Sequence, residues 1–176
     1  MAVTLVEKYN PEWPKWFEEI KAFLGEKVTQ TCIRIEHVGS TSVRKMTAKP
    51  IIDLILVIEP RDFEKIKELL GERGYYHQGD LGIKNREAFD LKDVPVKGSM
   101  PRHHLYICPK HSAELKKEIA FRDFLRHRGG ENMACMTCMR TVMAVIVPQF
   151  IWLDGLKNMF QPHEMSYGPR GPRPHA

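Results

Sequence analysis

The sequence predicts an α+β protein built from a mixed β-sheet with flanking helices. Short apolar stretches of strand length, such as residues 51–58, alternate with segments whose apolar residues recur every three or four positions, such as residues 62–73. The segments follow one another in the order helix, strand, strand, helix, antiparallel strands and helix. This order favours helices that lie mainly on one face of a mixed sheet.

The first helix is indicated by Asn10 and Pro11, which suit a helix cap and a first helical position. Its apolar side chains recur at helical spacing, and we interpret its tryptophans as core residues: Trp13, Trp16, Phe17, Ile20, Phe23 and Leu24. The stretches 29–38 and 51–58 are predicted as the first two strands. Because the connector 41–49 is too short for a crossover helix, we expect one helical turn between adjacent strands.

The second half of the predicted domain continues the same alternation of elements. In order, we predict a helix at 62–73, an extended piece from 75, a turn at 79–82, a strand at 83–90 that pairs back as a hairpin, a loop at 93–101, a strand at 102–108 and a helix at 113–128. Ser112 is a candidate cap for the last of these helices.

The chain divides into one domain, residues 1–128, and a divergent C-terminal segment, residues 129–176. Charged side chains become rare after Gly129-Gly130, and the last residues, 168–176, are rich in proline and glycine. We expect those last residues to form a loose tail. A divergent C-terminus and an altered reading frame both account for the change, and the sequence leaves the two open.

Composition excludes several functional classes. The formal net charge of +5 is small and dispersed, which indicates mild affinity for anions but gives no strong signal for nucleic-acid binding. No apolar run reaches the length of a membrane span, and the N-terminus lacks the pattern of a secretory signal, so we expect a cytoplasmic protein without a membrane partner. Cys135 and Cys138 have zinc-knuckle spacing, but no second ligand pair follows, and zinc is not expected.

The segment richest in candidate chemistry is a turn of small residues followed by an apolar strand. Gly39 to Ser42 supply a glycine and three hydroxyls at the point where a short helix can begin, so free amides there favour a phosphate. Asp53 is a lone carboxylate within the apolar run 51–58, and such a group is costly to bury unless it is paired, bound to a metal or at an open edge. A phosphate-binding turn beside a metal-binding carboxylate suits phosphoryl or nucleotidyl transfer.

These residues also carry a resemblance to a known family. The motif EHVGSTSV at 36–43, followed by AKPIIDL at 48–54, resembles the GrpB family, a branch of the nucleotidyltransferase superfamily. Further similar motifs follow the family's order: YNPEWPKWFEEI at 9–20, NREAF at 85–89, HHLYIC at 103–108 and AFRDFLR at 120–126. The sequence departs from the pattern at Ile55, where the superfamily has a second carboxylate, and at Arg44-Lys45, which replace the usual Pro-Gly.

The resemblance implies a nucleotidyltransferase-like fold and the transfer of a nucleoside monophosphate from ATP or GTP to an unknown acceptor, assisted by Mg²⁺. Within that scheme Asp53 is the metal ligand and a catalytic residue, and His104 is a catalytic assistant that shares a strand face with Tyr106. The predicted nucleotide-binding residues are Gly39, Ser40, Thr41, Ser42, Lys49 and Arg86.

Each of these side chains also has an ordinary structural interpretation. Asp53 and His104 are also consistent with internally hydrogen-bonded residues, and Lys49 with a solvated strand end. Arg86 either binds phosphate or pairs with Glu87 or Asp90. His37 is interpreted mainly as a packing residue, whereas Arg122 and Arg126, four residues apart on one helix, are interpreted as ion-pairing residues.

Two further functional classes stay open beside the transferase. Because Ile55 cannot bind a metal, a non-catalytic nucleotide-binding or regulatory module is the main alternative. A protein that acts by interaction through its apolar C-terminal segment is a third and less supported class.

Overall fold

The computed structural model describes residues 6–92 and 94–127. Within these ranges five strands form one sheet: β1 (Arg34–Val38), β2 (Ile52–Ile58), β3 (Tyr75–Gly79), β4 (Glu87–Leu91) and β5 (His103–Pro109). The spatial order is β1-β2-β5-β4-β3. Only the β2–β5 pair is parallel among these strands, and the other three pairs are antiparallel. The predicted α+β class with a mixed sheet and flanking helices is confirmed.

The helices of the described ranges are α1 (Trp13–Leu24), α2 (Glu26–Thr31), α3 (Phe63–Glu72), α4 (Val94–Ser99) and α5 (Ala113–His127). Side chains of α1, α2 and α3 pack on one face of the sheet, against alternate residues of β2 and β5 such as Leu54, Leu56 and Leu105. None of the helices in the described part of the chain is long and apolar enough to cross a lipid bilayer.

The opposite face of the sheet lies under α5. A second apolar cluster on this face is formed by Val38, Ile55, Val57, Cys108 and Leu115. Since side chains alternate along a strand, Asp53, Ile55 and Val57 point to this face, together with their β5 neighbours His104, Tyr106 and Cys108. The candidate site therefore lies on the α5 face, at the end of the sheet where β2 and β5 begin.

Several predicted element boundaries were wrong, each for a local reason. The strand predicted at 29–38 is divided into helix α2 and the shorter β1, because the amides of Thr29 and Cys32 donate to the carbonyls of Gly25 and Val28 and so close helical turns. The strand predicted at 83–90 begins only at Glu87, since turn hydrogen bonds occupy residues 80–86. The loop predicted at 93–101 contains α4.

The first helix also begins later than predicted. Asn10 Oδ1 accepts a hydrogen bond from the Glu12 amide at 2.9 Å, but the helix starts at Trp13, and Pro14 rather than Pro11 lies in its first turn. The connector between β1 and β2 matches the prediction, since it contains a single 3-10 turn, Ser40–Ser42, and joins adjacent antiparallel strands. The predicted C-terminal segment, 129–176, lies outside the described residues.

Candidate functional site

The turn after β1 touches the carboxylate of β2. Gly39 has φ 68° and ψ −176°, a backbone conformation that favours glycine. A Cβ atom added to Gly39 would collide with Asp53 Oδ2. Val38 is the register partner of Asp53, so the ladder itself fixes this approach. The sequence needs glycine here for two reasons, which are the positive φ and the lack of space beside Asp53.

Two of the three hydroxyls of the 3-10 turn make hydrogen bonds to neighbouring segments. The Ser42 hydroxyl donates to the Gly39 carbonyl at 2.7 Å. The buried Thr41 hydroxyl donates to the Ile51 carbonyl at 3.2 Å and accepts from His37 Nε2 at 3.1 Å. These bonds hold the turn against the start of β2, and the predicted contact of Thr41 with a nucleotide stays a prediction. The Ser40 hydroxyl makes no hydrogen bond to another residue of the described ranges.

Asp53 and His104 form a pair across the parallel strands β2 and β5. They are register partners, and His104 Nδ1 donates to Asp53 Oδ1 at 2.9 Å. The pair is open to solvent, since the side chains are 26% exposed for Asp53 and 53% for His104. With Nδ1–H held by the carboxylate, the lone pair on His104 Nε2 faces outward and can accept a proton.

Position 55, where the resemblance leads us to expect a second carboxylate, is buried. Ile55 is 1% exposed and belongs to the apolar cluster under α5. Glu36 stands opposite Ile55 on β1, but its carboxylate accepts from Arg122 Nη1 at 2.6 Å and from Arg34 Nε at 2.7 Å. Burial alone would raise the pKa of Glu36, but the two arginines outweigh it and hold the pKa below its ordinary value. Glu36 therefore serves an ion pair and does not replace the acid absent at position 55.

These donors do not fit a two-ion centre. Within residues 6–92 and 94–127, no group of three or more His, Cys, Asp or Glu side chains is placed to share a metal ion. One oxygen of Asp53 is hydrogen-bonded to His104, and the other faces Gly39. Imidazole is also a poor ligand for Mg²⁺, which prefers oxygen.

A carboxyl group that sequence reasoning missed lies near the pair. Glu118 on α5 is partly buried, and burial, followed by the charges of Asp53 and Glu114, raises its pKa to about 7. Its position three residues after Leu115 and four before Arg122 puts it on the helix face that contacts the sheet. The same spacing was visible in the sequence, but only the apolar residues of that face were assigned to it.

Arg86 lies against the same strand face without an ion-pair partner among the described residues. Its Cζ atom lies 4.4 Å from the centre of the Tyr106 ring. The Arg86 Nε atom is buried and has no hydrogen-bond partner in the described part of the chain. The predicted alternative pairing was wrong, because Glu87 accepts from His77 and Asp90 accepts from Lys97, each at 2.6 Å. Burial, followed by the Asp53 charge, raises the pKa of Tyr106 to about 12.

The remaining candidates make contacts within the protein. His37 stacks on Phe17 with ring centres 4.9 Å apart, and burial lowers its pKa to about 4, so it is a packing residue. Arg122 pairs with Glu36 and Asp123, as predicted, and Arg126 donates to the Ser42 carbonyl at 3.1 and 3.2 Å. Lys49 precedes β2, and its carbonyl accepts the Ile51 amide at 2.7 Å.

A shallow depression on the surface shares no residue with this site. It lies between α2 and α3 and is lined by Lys27, Gln30, Thr31, Asp62, Lys65 and Leu69. The open face beside Asp53 and the depression are therefore separate surfaces of the molecule.

Comparison with known proteins identifies relatives over most of the chain. The family model described as GrpB protein matches residues 3–136. The chain is 36% identical over 136 residues to the UPF0157 protein BH1888 of Halalkalibacterium halodurans, covering 74% of this chain and 64% of that protein. It is 35% identical over 122 residues to the UPF0157 protein YqkA of Bacillus subtilis, covering 67% of this chain and 33% of that protein. The chain thus spans a third of one relative and just under two thirds of the other.

Among solved structures, the conserved protein GrpB from Enterococcus faecalis matches with 30% identity and a TM-score of 0.60, covering 83% of this chain and 86% of that one. The Cid1 poly(U) polymerase matches at 12% identity with a TM-score of 0.47, over 69% of this chain and 39% of that one; this likeness is too distant to carry an inference about activity. The family match over residues 3–136 agrees with the motifs of the sequence, and the chain belongs to the GrpB family.

Proposed function

We propose that the chain binds a nucleotide, ATP or GTP, with the phosphates at the Gly39–Ser42 turn and beside the Asp53–His104 pair. The observation that carries the proposal is the close approach of Gly39 to the Asp53 carboxylate, which brings the turn and the acid together at the solvent-accessible end of the sheet where β2 begins. The turn begins next to this carboxylate, so a phosphate bound at the amides of the turn would also lie beside Asp53.

The hydrogen-bond donors and charges near the turn support an anionic ligand. The Ser40 hydroxyl is not used by the described residues, and the hydrogen bond from His104 offsets part of the charge of Asp53. Arg86 brings a permanent positive charge to the same strand face, where its Nε atom lacks a partner among the described residues. Asp53 alone would repel a phosphate, so the adjacent imidazole and guanidinium are necessary parts of the proposed site.

A second candidate is the transfer of a nucleoside monophosphate to an acceptor, which the family resemblance implies. The Asp53–His104 geometry favours it, because a carboxylate-held imidazole with an exposed Nε2 can take the proton of an attacking hydroxyl. Against it stands the absence of an acid at position 55, which removes the usual means of holding two metal ions. A nucleotide-binding module of the GrpB family is therefore the function that the geometry supports best.

Calorimetric titration with ATP and GTP, with and without Mg²⁺, tests the proposal. We expect binding that is weakened about tenfold or more in Gly39→Val, which adds a side chain that collides with Asp53, and in His104→Ala, which removes the imidazole bonded to Asp53. His111→Ala is the matched control, because His111 is an exposed histidine just before α5 and belongs to no part of the site.

The outcomes separate the two candidates. Binding without product, at an affinity that Mg²⁺ changes little, supports the binding module. Binding that requires Mg²⁺, with release of pyrophosphate, supports the transferase. If neither nucleotide binds under any of these conditions, both candidates are wrong.

A further inference from the structure

Glu118 is a partly buried acid near Asp53 to which neither the family motif nor the proposed function assigns a role. Leu115, one turn earlier on α5, packs into the apolar cluster with Ile55 and Cys108. Arg122, one turn later, reaches Glu36 and the His37 carbonyl on β1. Glu118 lies between these two contacts, so its side chain faces the strands that carry Asp53 and Tyr106.

No hydrogen bond or ion pair joins the Glu118 carboxyl to another residue of the described ranges. It does interact with charged or titratable groups on every element around it: Asp53 on β2, Tyr106 and Cys108 on β5, Arg86 before β4, and Glu114 and Lys117 on α5 itself. The acids among these groups, together with burial, outweigh Arg86 and Lys117, so that the charged form of Glu118 is disfavoured.

We propose that the charge of Glu118 controls whether anionic phosphates can occupy the turn beside Asp53. This inference rests on the proposed nucleotide site. While Glu118 is protonated, the site carries the charge of Asp53, offset by His104 and Arg86. When Glu118 ionises, a second carboxylate charge appears near the first and repels the phosphates. The change falls near neutral pH, because burial and the Asp53 charge raise the pKa of Glu118 to about 7.

The same position gives Glu118 a second consequence for the site. The acid missing at position 55 cannot be supplied by Glu36, whose oxygens are taken by Arg122 and Arg34. Glu118 adds an acidic group from the helix above the sheet, and no group of three or more His, Cys, Asp or Glu side chains in the described ranges is placed to share a metal ion. We therefore assign Glu118 a proton-sensing role and not a metal-binding one.

The test is the pH dependence of ATP affinity, measured by calorimetry between pH 5.5 and 8.5 for the full chain and for Glu118→Gln. The comparison of the two proteins is the readout, because the ATP phosphates and every side chain other than residue 118 are the same in both. Below pH 6 we expect equal affinities. Above pH 8 we expect the variant to bind ATP about tenfold more tightly, as one charge near bound phosphates requires.

Glu72→Gln is the matched control, since it removes an exposed acid at the end of α3, which packs on the other face of the sheet. It is expected to follow the unmodified chain within about twofold. A pH dependence that is the same for Glu118→Gln and the unmodified chain overturns the inference and leaves the nucleotide site intact. Loss of ATP binding at every pH in the unmodified chain removes the proposed function, and the inference with it.

Discussion

Replacing Glu118 by glutamine is expected to stabilise the fold at high pH and not at low pH. Burial, followed by the charges of Asp53 and Glu114, raises the pKa of this carboxyl from its ordinary value of 4.5 to about 7. Because the pKa of Glu118 is higher in the folded than in the unfolded state, the folded protein holds this proton more tightly, and ionisation of Glu118 destabilises the fold. The resulting cost is absent below about pH 4.5, grows between pH 4.5 and 7, and is complete above pH 7.

The size of this effect follows from the shift. A rise in the Glu118 pKa from 4.5 to about 7 corresponds to about 3 kcal/mol. Because the Glu118 side chain keeps some exposure to solvent, we expect about 2 kcal/mol of stabilisation in Glu118→Gln at pH 8. At pH 4.5 the variant and the unmodified chain should be equally stable within about 0.5 kcal/mol.

Urea unfolding at pH 4.5, 6 and 8, followed by circular dichroism, measures these differences. Glu72→Gln again serves as the control, because Glu72 is an exposed acid at the end of α3 and its removal should not stabilise the protein at pH 8. A Glu118→Gln effect that is the same at all three pH values, or destabilising at pH 8, would refute the placement of Glu118 near Asp53.

Three further predictions concern the residues that hold the site in place. Gly39→Ala should lower the free energy of unfolding in urea by about 2–3 kcal/mol, because the new side chain meets both a positive φ and the Asp53 carboxylate. Gly82→Ala is the control, since Gly82 has a positive φ but open space around it, and should cost only about 1 kcal/mol. Because burial lowers the pKa of His37 to about 4, the free energy of unfolding should fall by about 2 kcal/mol as the pH falls from 6.5 to 4. In His37→Phe the fall over that range should be smaller. An equal fall in both proteins would contradict the assignment of His37 as a buried, neutral packing residue. Arg122→Ala should lower the free energy of unfolding by about 2 kcal/mol, because it leaves the partly buried Glu36 carboxylate without its main partner. Arg34→Ala, which removes the more exposed partner of Glu36, should lower it by less than about 1 kcal/mol in the same urea unfolding. Equal costs would mean that the Arg122 pair contributes no more than a surface contact.

Periodicity was sufficient to predict the parts of the fold that bury a regular apolar face. β2 is an almost continuous apolar run, and the apolar residues of α3 recur at helical spacing, so both were found within one or two residues. The face shared by His104 and Tyr106 also followed from simple alternation along β5. In each case the signal lies within one element and needs no knowledge of what that element packs against.

Short polar helices and contacts between distant segments could not be predicted in this way. α2, with the sequence EKVTQT, buries only Val28, and its β-branched residues favour a strand by propensity alone. The ion pair of Glu36 and the burial of Thr41 depend on where α5 and β2 lie in space, which sequence spacing does not reveal. Glu118 was missed for the same reason, since its surroundings are supplied by β2 and β5.

The proposed function requires that the Gly39–Ser42 turn and the Asp53–His104 pair form one phosphate-binding site. The most direct test is to record backbone amide and histidine-ring NMR shifts while ATP is added to the full chain. We predict the largest changes at the amides of Gly39, Ser40 and Thr41 and at the ring of His104, with little change at the ring of the exposed His111. Shifts confined to another surface, such as the depression that contains Lys27 and Lys65, would contradict the claim.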